Sequence, residues 1–137
     1  VGAGGGFKQT LVDSGIADII AAWIQQAAVP ALLAGWLVAV AVRLANGSAT
    51  VATITAAGIM GQVAADMPPI EVAPLVLAIG AGSVFLSHVN DAGFWLVKEY
   101  FGMTVGQTFK TWSLMETILS VVAMATISIL ALALGVL

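Results

Sequence analysis

The stretch ALLAGWLVAVAVRLANGSATVATITAAGIMGQVAA, residues 31–65, decides how this chain is read. It is apolar but for Arg43, a central polar segment, Asn46-Gly47-Ser48-Ala49-Thr50, and the isolated Thr53, Thr55 and Gln62. As one helix, at 1.5 Å per residue, it would be about 52 Å long. A bilayer core is about 30 Å thick and takes about 20 helical residues. The run is therefore too long for one straight crossing and too short for two crossings with a turn. One crossing with an unwound middle resolves the mismatch, and the expected break is Asn46 to Thr50. Asn and Ser supply side-chain hydrogen bonds there, and Gly47 relaxes the backbone. Arg43 lies one helical turn earlier, where a cation meets either the C-terminal helix dipole or an anion in a site.

A second apolar run, Val72 to Val97, carries its own polar break, Ser87-His88-Val89-Asn90-Asp91, with the only histidine of the chain. Polar and ionisable groups at membrane depth are costly and face a partner, a water-filled cavity or a substrate. Two interrupted hydrophobic segments point to a transporter's binding site. The breaks are expected to meet. Asn46, Gly47, Ser48, Thr50, Ser87 and Asn90 are the candidate solute contacts, since neutral hydrogen-bonding groups suit a polyhydroxylated or carboxylate solute. His88 and Asp91 are the candidate proton-coupling groups, because imidazole titrates near neutrality and intramembrane Asp and His serve in proton relays. The competing reading pairs His88 with Asp91 to lock the break, with the neutral groups as helix-packing contacts.

Composition supports a membrane protein. Hydrophobic residues make up 61% of the 137 and charged residues 8%, with mean hydropathy +1.09. A soluble domain carries about 25% charged residues, so this chain lacks the polar side chains to cover a wetted surface. The net charge of −3 rests on eleven charged side chains and includes no basic patch, which argues against a nucleic-acid partner. Without cysteine there is no disulfide or thiolate chemistry. No nucleophile–base pair, phosphate loop or metal set is visible, so an enzyme is not expected, nor a cofactor. The chain opens on Val1 and a glycine-rich stretch with no signal-peptide pattern, which reads as part of a longer polytopic protein.

The remaining segments follow. Phe7 to Ile24 has one apolar stripe at helical spacing and a turn signal at Asp13-Ser14-Gly15; a re-entrant hairpin and an amphipathic surface helix both fit. Gly80, Gly82 and Ser83 give a small-residue packing face. Lys98 to Thr111 reads as a loop with some local structure on the cytoplasmic side, and capping-box spacing at Thr104 and Gln107 predicts a short helix after Thr104. Ser113 to Glu116 reads as a second capping box that opens a last crossing to Leu137.

These residues carry a family resemblance. Asn46-Gly47-Ser48-Ala49-Thr50-Val51-Ala52 and Ser87-His88-Val89-Asn90-Asp91-Ala92-Gly93-Phe94-Trp95 resemble the C-terminal third of the gluconate permease family, the gluconate:proton symporters. Gly4 to Lys8, Val12 to Gly15 and the stretch from Thr108 to Glu116 are similar to it too. The resemblance implies the ion transporter superfamily and an all-α integral membrane fold: a re-entrant helical hairpin plus broken transmembrane helices, one inverted-repeat half of a carrier. Residues 1–137 are then the C-terminal transmembrane portion of a permease. It comprises a hairpin at 7–24, a broken helix at 31–65, a helix with a polar break at 72–97 and the last transmembrane helix at 113–137.

The implied activity is import of gluconate or a related sugar acid by proton symport, in the inner or plasma membrane. The implied partners are the sugar acid, protons, the bilayer and the N-terminal remainder of the carrier, with a homodimer left open. D-serine and glycerate are same-family alternatives, and a non-transporting structural module is the alternative from another class. Two departures stand out. The superfamily's dicarboxylate carriers have Ser-Asn-Thr where this chain has Asn46-Gly47-Ser48, and many gluconate permeases have proline where this chain has Ala92.

Overall fold

A computed structural model describes residues 29–136 without a break and, before them, residues 6, 9–11, 13–16, 18–20 and 22. Residues 7, 8, 12, 17, 21, 23 and 24 of the expected hairpin at 7–24 lie outside the described residues. Those that are described are helical on both sides of a turn at Ser14-Gly15, where Gly15 takes a φ of 76°. The regular structure among the described residues is all helical, with no strand.

Residues 29–136 contain six α-helices: α1 Ala31–Asn46, α2 Ala49–Ala65, α3 Pro69–Ser83, α4 Ala92–Tyr100, α5 Val105–Thr108 and α6 Leu114–Ala133. A π-helical turn, Phe109–Ser113, joins α5 to α6, so Val105–Ala133 is one continuous 29-residue helix. It is long and apolar enough to cross a membrane.

The first sequence expectation is corrected here. Residues 31–65 do not continue along one axis. Gly47 ends α1 in the left-handed conformation, φ 73°, with its N–H on the Arg43 carbonyl at 2.8 Å. Ser48 follows in an extended conformation and its Oγ accepts the Val51 N–H at 3.3 Å, opening α2. A left-handed glycine followed by an extended cap turns the chain back on itself. Ala34 and Ala39 of α1, Ala56 and Met60 of α2, and Leu75 and Ile79 of α3 then share one buried cluster. Pro30, before α1, and Met67, after α2, line the same crevice. In a single crossing those two ends would lie about 50 Å apart. The run is a helical hairpin with its tip at Gly47-Ser48.

The second run is the interrupted one. α3 stops at Ser83, residues 84–91 are non-helical, and α4 begins at Ala92, capped by the Asp91 carboxylate on the Gly93 N–H at 2.9 Å. The long helix 105–133 runs antiparallel to α3 and packs its N-terminal part on α4. Leu130 and Leu134 of its far end meet Ile70 and Pro74 at the start of α3. Ser120 Oγ donates to the Ala81 carbonyl at 2.6 Å and accepts from Trp36 Nε1 at 3.1 Å. At the other end Phe94 of α4, fully buried, packs on Phe109 with ring centroids 4.9 Å apart. Ser113 does not cap a new helix. Its backbone is helical and its hydroxyl donates across to the Ser87 carbonyl. The expected capping box at Thr104 is formed, with Gln107 bonded in both directions. The short helix expected after Thr104 is present from Val105, and it does not stop before Thr111 but runs on into the last helix.

Close packing of α1 on α3 sets the level at which the two breaks face each other. A Cβ on Gly82 would lie 2.5 Å from the Trp36 carbonyl oxygen, and one on Gly35 would lie 2.5 Å from Leu75 Cδ1. Helices in lipid gain from contacts of this kind, where small residues let backbones approach. Gly80, read from sequence as part of the same face, has open space at its Cβ position.

Candidate functional site

The hairpin tip and the 84–91 break meet. Gly47 abuts Asn90 so closely that an added Cβ would overlap the Asn90 backbone and side-chain oxygens. Asn90 Nδ2 donates to the Leu44 carbonyl at 3.3 Å. Arg43, 2% exposed, ties the two regions together. Its Nη1 donates to the Gly47 carbonyl, capping α1, while its Nη2 lies 2.6 Å from Asp91 Oδ2 and 3.5 Å from Glu116 Oε2. The cation thus serves a helix C-terminus and two carboxylates from elsewhere in the chain.

Asp91 is satisfied on several sides. Besides Arg43 it accepts from Ser87 Oγ and from the Gly93 N–H. Ser87 is fully buried, and its own oxygens are spoken for: Trp112 Nε1 donates to Oγ at 3.0 Å and Ser113 Oγ to the carbonyl. The π turn carries Trp112 and Ser113, two consecutive residues that both reach the break. Such turns occur frequently at functional sites. Leu86 within the break has a φ of 43°, rare for a residue with a side chain.

Between the two breaks lies a cavity of about 440 Å³ lined by residues 46–50 of the tip, residues 90–93 of the second break, and Arg43, Trp112 and Glu116. Among the described pockets it is the one with polar walls; the others are apolar. The first turns of α2 and α4 both border it. The first N–H groups of a helix have no intrahelical partner and carry its positive dipole end. Arg43 Nε and Asn46 Nδ2 are buried donors with no partner among the described residues, beside the same space. Backbone N–H groups, unpaired donors and an Asn-Ser-Thr edge suit a small oxygen-rich anion.

Of the sequence candidates, Asn46, Gly47, Ser48, Thr50, Asn90 and Asp91 line this cavity, whereas Ser87 and His88 do not. His88 is not paired with Asp91 through its ring. Its Nδ1 lies 3.0 Å from the Leu86 carbonyl, which only accepts, so Nδ1 carries the proton in that contact. Sequence reading gave Glu116 and Trp112 no part in the site. It set Arg43 against the C-terminal helix dipole or an anion, and the Gly47 carbonyl takes the first of these places, but it named neither carboxylate. The signal for both charged residues was available: each is a lone ionisable group inside an apolar run, and such groups default to function. Among the described residues no group of three His, Cys, Asp or Glu is placed to hold a metal.

An apolar, all-helical chain in which a hairpin and an interrupted helix close on a polar cavity has the make-up of part of a membrane transporter. The chain belongs to the GntP permease family: the family model, described as GntP family permease, matches residues 1–134. It is 58% identical over 134 residues to a gluconate permease of Pseudomonas aeruginosa, covering 98% of this chain and 30% of that protein. It is 51% identical to a high-affinity gluconate transporter of Escherichia coli, over 88% of this chain and 27% of that one. It is 48% identical to the Gnt-II system L-idonate transporter of the same organism, over 90% of this chain and 28% of that protein. The chain thus spans under a third of the length of these relatives and matches their C-terminal part. The family and the relatives' names are those of permeases, not of enzymes. No solved structure matches.

Proposed function

We propose that this chain forms one half of the solute site of a carrier that imports gluconate or a closely related sugar acid by proton symport. The observation that carries the reading is the cavity between the two breaks, with helix N-termini and unpaired donors around it, in a member of the GntP permease family. The relatives named for gluconate and for L-idonate support an aldonate as the solute class.

Asn46, Ser48, Thr50 and Asn90 are the proposed solute contacts, and Gly47 keeps the tip close to Asn90. The α1–α2 hairpin is proposed as re-entrant. Its arms of 16 and 17 residues are about 24–26 Å long, short of the roughly 30 Å core. The N-terminal remainder of the carrier then supplies a matching inverted half in a multi-pass inner-membrane protein.

The test is uptake of labelled gluconate into proteoliposomes holding the full-length carrier, with and without an inward proton gradient. Uptake stimulated by the gradient and competed by unlabelled gluconate and idonate is the expected result. Uptake indifferent to the gradient rejects proton symport. No uptake by folded carrier rejects the solute class.

A further inference from the structure

We infer that Glu116, rather than His88, is the group that gains and loses the coupled proton. The inference rests on the symport reading above and adds a residue to it.

The argument starts from a charge count. Three ionisable side chains line the cavity: Arg43 from α1, Asp91 from the break and Glu116 from α6. Arg43 is the only cation among them, and both carboxylates reach for the same Nη2. With both ionised the cluster is −1, and an anionic solute entering beside it meets a like charge in a site of low dielectric. One proton on the cluster leaves a neutral Arg43–Asp91 pair and removes that repulsion. Loading of the proton and loading of the anion then favour each other, which is the requirement for symport.

Geometry decides which carboxylate takes the proton. Asp91 accepts from Arg43 at 2.6 Å, from Ser87 Oγ and from the Gly93 N–H at 2.9 Å, and these bonds hold it as the anion. They also cap α4, so a protonated Asp91 would release the break. Glu116 stands 3.5 Å from Arg43 and otherwise accepts only a backbone N–H, that of Ser87. A neutral Glu116 can still accept that N–H through its carbonyl oxygen, and the Asp91 cap of α4 does not depend on it. Other titratable groups do not face it: His88 is turned to the Leu86 carbonyl, and Lys98 and Glu99 pair with each other at the exposed end of α4. Trp112 and Ser87, its remaining neighbours across the site, are neutral.

In the cycle that follows, Glu116 takes a proton from the outer medium and the anion enters. On the inner side both leave, and the carboxylate returns to Arg43. No bond other than O–H forms or breaks.

The experiment uses the full-length carrier in proteoliposomes. Glu116→Gln copies the shape of the protonated acid but cannot release a proton. It is expected to keep gluconate exchange, measured as counterflow without a gradient, within about threefold of wild type. Accumulation driven by a proton gradient is expected to fall at least tenfold. His88→Ala is expected to keep both. Gradient-driven accumulation at wild-type level in E116Q overturns the inference, and so does loss of exchange in folded E116Q, since the mimic of the loaded state must still exchange. If E116Q is not recovered as a monodisperse protein, Glu116→Asp carries the test. Uptake that stays gradient-driven with a shifted pH profile supports the assignment, and an unshifted profile overturns it. A wild-type carrier that exchanges gluconate but ignores the gradient refutes the symport reading itself, a result distinct from all of these.

Discussion

The two breaks that meet at the cavity are built in opposite ways. The hairpin tip is two residues long and largely caps itself: Gly47 turns the chain, Asn46 Oδ1 accepts the Ser48 N–H at 2.7 Å, and Ser48 caps α2. The break at 84–91 is eight residues long, contains a strained Leu86, and is held from outside. Ser113 and Trp112 reach it from the π turn, Arg43 reaches it from α1, and Trp95 Nε1 returns from α4 to the Val89 carbonyl at 2.8 Å. A backbone unwound at membrane depth must find internal partners. The tip finds them within four residues, whereas the long break borrows them from three helices. The first is a local property of sequence and the second a property of the assembled fold.

That contrast ranks the mutations. Arg43→Met should have the largest effect, because it strands Asp91 and Glu116 and uncouples the breaks. Removing one partner of a buried pair costs about 3–5 kcal/mol. The full-length carrier should melt markedly lower in detergent and lose uptake, and adding Glu116→Gln should recover part of the melting temperature. If R43M melts as wild type does, the breaks do not depend on each other.

Gly47→Ala comes next. It puts a side chain at φ 73°, worth about 1–2 kcal/mol of strain, and drives a methyl group into Asn90. Uptake should fall more than stability, because the tip moves away from the second break. Equal loss of both would mean that the tip serves folding only.

The smallest pair compares the two designs directly. Ser113→Ala leaves the buried Ser87 carbonyl without its partner, a loss of about 1–3 kcal/mol. Ser48→Ala removes an N-cap, typically worth about 1 kcal/mol. Chemical or thermal unfolding should therefore rank Ser113→Ala as the more harmful, and the reverse order would contradict the view that the long break is held from outside.

The same contrast explains what was legible in the sequence. Both breaks announced themselves as polar segments in apolar runs, and so did the long last helix. What a composition cannot say is whether a break bends, reverses or merely interrupts a helix. At residues 47–48 the direction is set by a left-handed glycine followed by an extended serine, and it is stabilised by packing of Gly35 and Gly82 between α1 and α3. These contacts join residues far apart in the chain and leave no local pattern.

Ser113 misled for the same reason. Ser-x-x-Glu is a cap by spacing, but its hydroxyl gains more by serving the Ser87 carbonyl 26 residues away, and the helix runs through it. Arg43 and Glu116 were visible as isolated charges, yet nothing local indicated that they share a site 73 residues apart in sequence.

The most direct test of the central claim, that the two breaks close around the solute, is protection of Thr50 from alkylation. Thr50 is exposed and lines the cavity, and the chain has no cysteine of its own. A Thr50→Cys carrier, full length and freed of any other cysteine, is treated with a small maleimide in proteoliposomes after its gluconate uptake has been verified. Saturating gluconate should slow labelling at least tenfold, while a sugar without a carboxylate should not. An unchanged labelling rate in a variant that still transports gluconate would place the solute elsewhere and contradict the account.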